Sequence, residues 1–185
     1  MAKGTLIRLT DFELRLALTV GGARYTDCRI NGRKDRWQDD ESGWNNHIEG
    51  AAGEIAAAKA LGMYWNGSVN TFQSGGDVGN IQIRTRIKPS ERKLRWLRRE
   101  GSPEAELAPY RLIVRNSDRD ADVFVLVVSL MPLPEYMVVG WTFGAHAKRQ
   151  EFEDDPGGLK MPAYFVPPTH SIIQPIETLR TLLET

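Results

Sequence analysis

The sequence predicts an α/β fold built on a central mixed β-sheet flanked by helices, and three segments carry that expectation. HIEGAAGEIAAAKALG is alanine-rich and helical in texture, NIQIRTRIK alternates strictly between apolar and polar residues, and DVFVLVV is almost continuously apolar. Period-two alternation marks a strand with one core face and one polar face, whereas an unbroken apolar run marks a strand covered on both faces. At 185 residues the chain suits one domain spanning residues 1–185.

The first predicted element is a helix over residues 10–31. Thr10 with Glu13 three residues on forms a capping box, Phe12, Leu16, Val20 and Ala23 follow at helical spacing, and Gly32 marks the stop. The next stretch, GRKDRWQDDESGWNN, is polar and turn-rich and reads as a long loop. The alanine-rich helix comes next, carries Glu49 and Glu54, and ends at Gly62. Gly50 and Gly53 would each cost about 1 kcal/mol relative to alanine in a helix interior. Both therefore imply close packing against a neighbour, unless the helix begins only near Gly53.

From residue 69 onward the texture is that of strands: VNTF, NIQIRTRI, RLIVR, DVFVLVV and YMVVGWTF, assigned to one mixed sheet. Within NIQIRTRIK, Ile81, Ile83, Thr85 and Ile87 point one way and Gln82, Arg84, Arg86 and Lys88 the other. A last helix over about residues 174–184 can cover the sheet.

The 24 Lys+Arg balance the 24 Asp+Glu, which argues against a globally basic nucleic-acid coat protein or an acidic tail protein. A local patch survives that balance. Arg84, Arg86, Lys88, Arg92, Lys93, Arg95, Arg98 and Arg99 are opposed over the same stretch only by Glu91. SERKLRWLRRE reads as a short helix capped by Ser90, inside a basic helical insertion over about residues 88–108. It could track a phosphate backbone, with Trp96 stacking on an unpaired base, or it could be a solvated helix face. A single cysteine, Cys28, excludes an internal disulfide framework, fits a reducing cytoplasm, and reads as a buried small hydrophobe. Charges interrupt the N-terminal stretch where a secretion signal needs an apolar core, and no apolar run is long enough to span a membrane.

Four polar residues stand in an order that can converge: Glu54 on a helix, Asp77 in the turn SGGDVGN, then Gln82 and Arg84 two positions apart on a strand. This region resembles the PD-(D/E)XK (restriction-endonuclease-like) nuclease superfamily. GAAGEIAAAKALG, GGDVGNIQIRTR, DADVFVLVVS, YMVVGWTFGAHAKR and AYFVPPTHSIIQPIETL look like stretches of uncharacterised bacteriophage proteins of that type. The resemblance implies that Glu54, Asp77 and Gln82 hold Mg²⁺ or Mn²⁺ and that Arg84 clamps the scissile phosphate. It implies metal-dependent hydrolysis of DNA in a host-cell cytoplasm, with a homodimer as one route to cutting a duplex. The motif departs from the superfamily pattern at two places. Gln82 offers a neutral amide oxygen where a carboxylate would bind the cation more strongly, and Arg84 cannot exchange a proton as a lysine can. The alternative is a degraded nuclease fold that binds nucleic acid or a host protein without cleavage. Each residue also has a structural reading: an exposed helix glutamate, a turn aspartate, and the outer face of an edge strand.

The histidines, His47, His146 and His170, lack metal-ligand spacing, although His47 lies seven residues before Glu54 and would share its helical face. Trp141 and Phe143, near the end of a strand, read as core residues. SGGDVGN lacks the spacing of a nucleotide-binding loop.

Overall fold

A computed structural model describes residues 4–32, 43–69, 75–87, 110–130, 134–154 and 163–184. Strand β1 (Thr5–Arg8) leads into helix α1 (Asp11–Ile30), and helix α2 (Gly43–Leu61) follows. Strands β2 (Ile81–Ile87), β3 (Leu112–Arg115), β4 (Val123–Ser129) and β5 (Glu135–Phe143) come next. The short helix α3 (Gly144–Ala147), a 3₁₀ turn (Gln150–Phe152), strands β6 (Glu153–Asp154) and β7 (Ala163–Val166), and helix α4 (Ile176–Leu183) complete the described elements.

The main sheet is mixed and has the order β1-β5-β4-β2. β2 runs parallel to β4, while β4–β5 and β5–β1 are antiparallel. β3, β7 and β6 form a separate antiparallel sheet. RLIVR therefore does not join the main sheet, contrary to the sequence expectation; its Leu112 and Val114 face a core that this smaller sheet shares with the larger one. β1 was not anticipated, being four residues with an alternation of two half-buried and two exposed positions.

Two cores lie on opposite faces of the main sheet. Ile81, Ile83, Val125, Val127 and Val138 pack against α1, α2 and α4. Phe124, Leu126, Val128 and Val139 pack against the smaller sheet. Both faces of β4 are thus covered, as its unbroken apolar run requires. A bulge in β5 pairs Leu126 with Gly140 and Val127 with Val138, leaving Val139 as the extra residue. The resulting change of parity turns Trp141 toward the helices, where its Nε1 donates to Thr178 Oγ1 at 2.9 Å.

The capping box forms as read: Glu13 N–H donates to Thr10 Oγ1 and Thr10 N–H donates to Glu13 Oε2. The buried stripe of α1, however, is Ala17, Val20 and Gly21, whereas Phe12 is 74% exposed and Leu16 lies partly in solvent. The reason is the close crossing of α1 and α2, since a Cβ on Gly21 would lie 2.6 Å from Ile48 Cα. α2 begins at Gly43, so the end of the expected loop is helical and a start near Gly53 is excluded.

Gly53 fulfils its predicted role, because a Cβ there would lie 1.9 Å from Thr85 Oγ1 of β2. Gly50 does not, having open space where its Cβ would stand. Cys28 is half-buried and not enclosed in the core. No helix among the described residues is long and apolar enough to cross a membrane. The loop over 33–42, most of VNTF, and the basic segment with Lys88, Arg92, Lys93, Arg95, Trp96, Arg98 and Arg99 lie outside the described residues.

Candidate functional site

The site is organised by β2, which is an edge strand of the main sheet. Ile81 and Ile83 face the helices, so Gln82 and Arg84 face the smaller sheet; accordingly, the Arg84 guanidinium carbon lies 5.1 Å from the centre of the Phe124 ring. Asp77 sits beside the strand and not on it. A tight turn, in which Val78 and Ile81 exchange backbone hydrogen bonds and Gly79 adopts φ +58°, folds the preceding segment back along β2. Asp77 N–H then donates to Ile81 O at 2.8 Å, and Ile83 N–H donates to Asp77 Oδ2 at 2.7 Å. Asp77 thereby holds the outer edge of the strand, between its two faces.

On the helical side, the close approach of Gly53 to Thr85 brings Glu54 down with α2. Glu54 is 6% exposed, and a buried carboxylate needs compensation. Arg24 of α1 supplies it as a fork: Nη1 donates to Oε1 at 2.6 Å and Nη2 to Oε2 at 2.8 Å. Trp65 Nε1 adds a third donor to Oε2 at 2.8 Å. Arg24 Nε is spent on the Ser68 carbonyl at 2.8 Å. Glu49, the other carboxylate on α2, accepts from the Tyr136 hydroxyl at 3.1 Å and takes no part in this network.

On the opposite side, Arg84 Nη2 donates to Asp118 Oδ2 at 3.0 Å, and Nη1 makes a long contact of 3.4 Å with Gln82 Oε1. Asp118 is held in turn by the Arg115 backbone N–H at 2.8 Å. Lys148 fixes the same loop, donating to Asn116 O at 3.2 Å, to Asp118 O, and to Asp120 Oδ1 at 2.8 Å.

Asp77 feels both groups electrostatically. Burial pushes its pKa above the ordinary carboxylate range, against the lowering influence of the Ile83 N–H, Arg84 and Arg24. Burial also pushes Glu54 upward; the Arg24 fork opposes this and the charge of Asp77 reinforces it. Arg24 is held charged, since Glu54 and Asp77 together outweigh the effect of its burial.

Of the sequence-predicted residues, Asp77 adds its charge to the surroundings of Glu54 and is itself acted on by Arg84, and Gln82 meets Arg84. Arg86 follows on the same polar face of β2 and is half-buried. His47 stacks edge-on with Tyr25, His146 with Phe143, and His170 with Phe152, so each has an aromatic neighbour. Trp141 is core, as expected, while Phe143 is 38% exposed. A separate cavity of about 610 Å³ at the start of β2 and β4 is lined by Met63, Asn80, Arg119 and Leu183 among others, and by none of the predicted site residues.

The donor set does not fit a resident divalent cation. Both Glu54 oxygens already face a guanidinium, Asp77 Oδ2 is engaged by the β2 backbone, and Gln82 projects to the face of β2 opposite Glu54. Among the described residues no group of three or more His, Cys, Asp or Glu side chains could hold a metal.

Sequence reasoning missed Arg24, Trp65, Ser68, Asp118 and Lys148. Arg24 was within reach, because it continues the stripe Ala17, Val20, Gly21 at helical spacing. Choosing the bulkier stripe through Phe12 and Leu16 turned it outward. No family model matches the chain, and neither a curated protein nor a solved structure matches it.

Proposed function

We propose that the chain is a nucleic-acid-binding protein, DNA being the expected partner, on a scaffold related to the PD-(D/E)XK nucleases, and that it binds without cleaving. The observation that carries this reading is the Arg24 fork on Glu54. It supplies a protein cation at the carboxylate where metal-dependent hydrolysis would place Mg²⁺ or Mn²⁺. Gln82 and Arg84 support the same reading, since neither supplies the charge or the exchangeable proton of the nuclease pair.

What remains suited to a phosphate backbone is the polar face of β2. Arg84 is half-buried over an aromatic ring, can offer a fork to a phosphate, and precedes the cationic run that continues to Arg99. Asp118 neutralises Arg84 in the free protein and would have to share it with an incoming phosphate.

The test uses purified full-length chain with supercoiled and single-stranded DNA, first with Mn²⁺ and then with chelator. The expected result is retarded migration in both buffers, weakening as salt rises, with no nicked product. Nicking that requires Mn²⁺ and disappears in Asp77→Ala would restore the hydrolase reading. Absence of retardation at low salt would remove the binding reading.

A further inference from the structure

The cavity of about 610 Å³ lies where β2 and β4 begin, with Ile81 paired in register to Val123. Its volume falls within the range of about 300–1,000 Å³ usual for small-molecule sites. The walls are apolar: Ile81 is buried, Met63 and Val123 are half-buried, and Leu183 of α4 is 49% exposed. The charged groups in the lining are Arg119 and Asp122, from the loop that leads into β4. The backbone of Asp122 is pinned, since its N–H donates to Arg119 O at 3.2 Å and its carbonyl accepts from Gly144 N–H at 2.8 Å. Its side chain is 11% exposed, and Arg119 engages only one of its oxygens. Arg119 Nε donates to Oδ1 at 3.0 Å and Nη2 lies 2.7 Å from the same atom, whereas no hydrogen bond from the described residues reaches Oδ2. Arg119 itself is 66% exposed and keeps Nη1 available as a donor. A carboxylate oxygen and a guanidinium N–H thus stand together in an otherwise apolar enclosure.

We propose that this cavity binds a nucleobase-like heterocycle whose ring N–H donates to Asp122 Oδ2 and whose adjoining carbonyl accepts from Arg119, the edge carried by guanine, uracil and thymine. A flat heterocycle keeps its polar atoms on its edge and its faces apolar, which matches a charged pair set among aliphatic walls. Other ligand chemistries fit less well. An anionic headgroup would meet Asp122 Oδ2 and a cationic one Arg119, while a sugar would bring hydroxyls against Ile81, Met63 and Leu183 without partners. The Arg119–Asp122 pair is neutral as a unit, and so is the lactam edge. A ligand N–H adds a charge-assisted bond to an oxygen that no described group already serves, and the pinned backbone spares the cost of ordering it. The cavity shares no residue with Glu54, Asp77, Gln82 or Arg84, so the proposal does not depend on the reading above. The same edge is offered by a free nucleoside and by an unpaired base of a strand, two sources that the experiment separates.

The experiment follows the Met63 methyl resonance of the full chain labelled at its methionine methyl groups, assigned through Met63→Leu, during addition of uridine, guanosine, N3-methyluridine, ribose 5-phosphate or single-stranded oligothymidylate. Uridine and guanosine should shift it saturably. N3-methyluridine, which lacks the ring N–H, should bind at least about tenfold more weakly than uridine. Asp122→Asn preserves the side-chain shape but must turn an amide N–H toward either Arg119 or the ligand, and should weaken uridine by a similar factor. Leu183→Glu, at a half-exposed position, should weaken every ligand and supplies the test if Asp122→Asn does not fold. A response to the free nucleosides identifies a nucleoside pocket and a response to oligothymidylate alone a pocket for a base of a strand; either supports the proposal. Silence of Met63 toward all of them, an equal response to ribose 5-phosphate, equal binding of uridine and N3-methyluridine, or unchanged binding in a folded Asp122→Asn overturns it. DNA retardation without a Met63 response removes only the cavity reading, and a Met63 response to nucleosides without DNA retardation removes only the nucleic-acid reading.

Discussion

Two arginine–carboxylate pairs flank β2, and they differ in what they leave free. Arg24–Glu54 is a two-point fork with side chains 13% and 8% exposed. Arg84–Asp118 is a single contact of 3.0 Å with side chains 25% and 16% exposed. The first pair uses up its carboxylate, with Trp65 completing the coordination. The second leaves the guanidinium a weak contact with Gln82, an aromatic face, and an edge open to partial exposure. A buried fork is costly to break because removing either partner strands the other charge away from water, whereas a partly exposed pair contributes little and can be exchanged. The difference fits the proposal made above, in which the helical side of β2 is structural and the other side recognises a partner.

The largest effect that sharpens this contrast is expected from Glu54→Ala. It leaves a buried guanidinium and the Trp65 N–H without their acceptor and should cost about 3–5 kcal/mol, whereas Asp118→Ala should cost about 1 kcal/mol; urea unfolding of both variants measures the gap. Gly53→Ala comes next. Its Cβ would stand 1.9 Å from Thr85 Oγ1, so α2 must lift from β2, with an expected loss of about 1–3 kcal/mol. Near-ultraviolet circular dichroism should show Trp65 disturbed in that variant, because the carboxylate it donates to moves with the helix.

Asp77→Asn tests the coupling between the two sides through pH. The folded-state pKa of Asp77 is raised, so the native state keeps this proton to higher pH than the unfolded chain does. The stability it contributes is therefore full below the ordinary carboxylate range and is lost as pH rises through that range to the raised value. Asparagine can still accept from the Ile83 N–H and carries no charge toward Glu54. The variant should have a flatter stability–pH profile in mildly acidic buffer and be at least as stable as wild type at neutral pH. A profile parallel to that of wild type would show that Asp77 is not the group responsible. The smallest stability effect belongs to Arg84→Ala, at about 1 kcal/mol or less. It should weaken DNA retention across sequences and reduce the slope of affinity against salt by about one phosphate contact.

The elements were legible where local signals agreed with packing. The Thr10–Glu13 capping box, the Ala-rich helix ending before Gly62 and the alternation of Ile81 and Ile83 all appear in the structure. What failed depended on partners remote in sequence. RLIVR has the same local texture as the other strands, and only its pairing with β7 places it in a second sheet. On α1 the small residues at the close helix crossing carry less hydrophobic signal than Phe12 and Leu16, although they are the ones that pack. Arg24 lies on that weak-signal stripe, so the partner that decides the chemistry of Glu54 is concealed with it. Asp118 and Lys148 carry no mark for a related reason: a turn aspartate and a lysine following a short helix have ordinary solvent-facing roles, and only the fold brings Asp118 to Arg84 and Lys148 to the Asp118 loop.

The central claim, that Arg24 and Glu54 compensate one another in a buried fork, is tested most directly by a double-mutant cycle using Arg24→Met and Glu54→Gln. Each single variant should be strongly destabilised, and the double variant should recover about 0.5–3 kcal/mol relative to the sum, because it no longer strands a charge. Strict additivity of the two losses in denaturant unfolding would contradict it and would return Glu54 to the pool of carboxylates free to bind a metal.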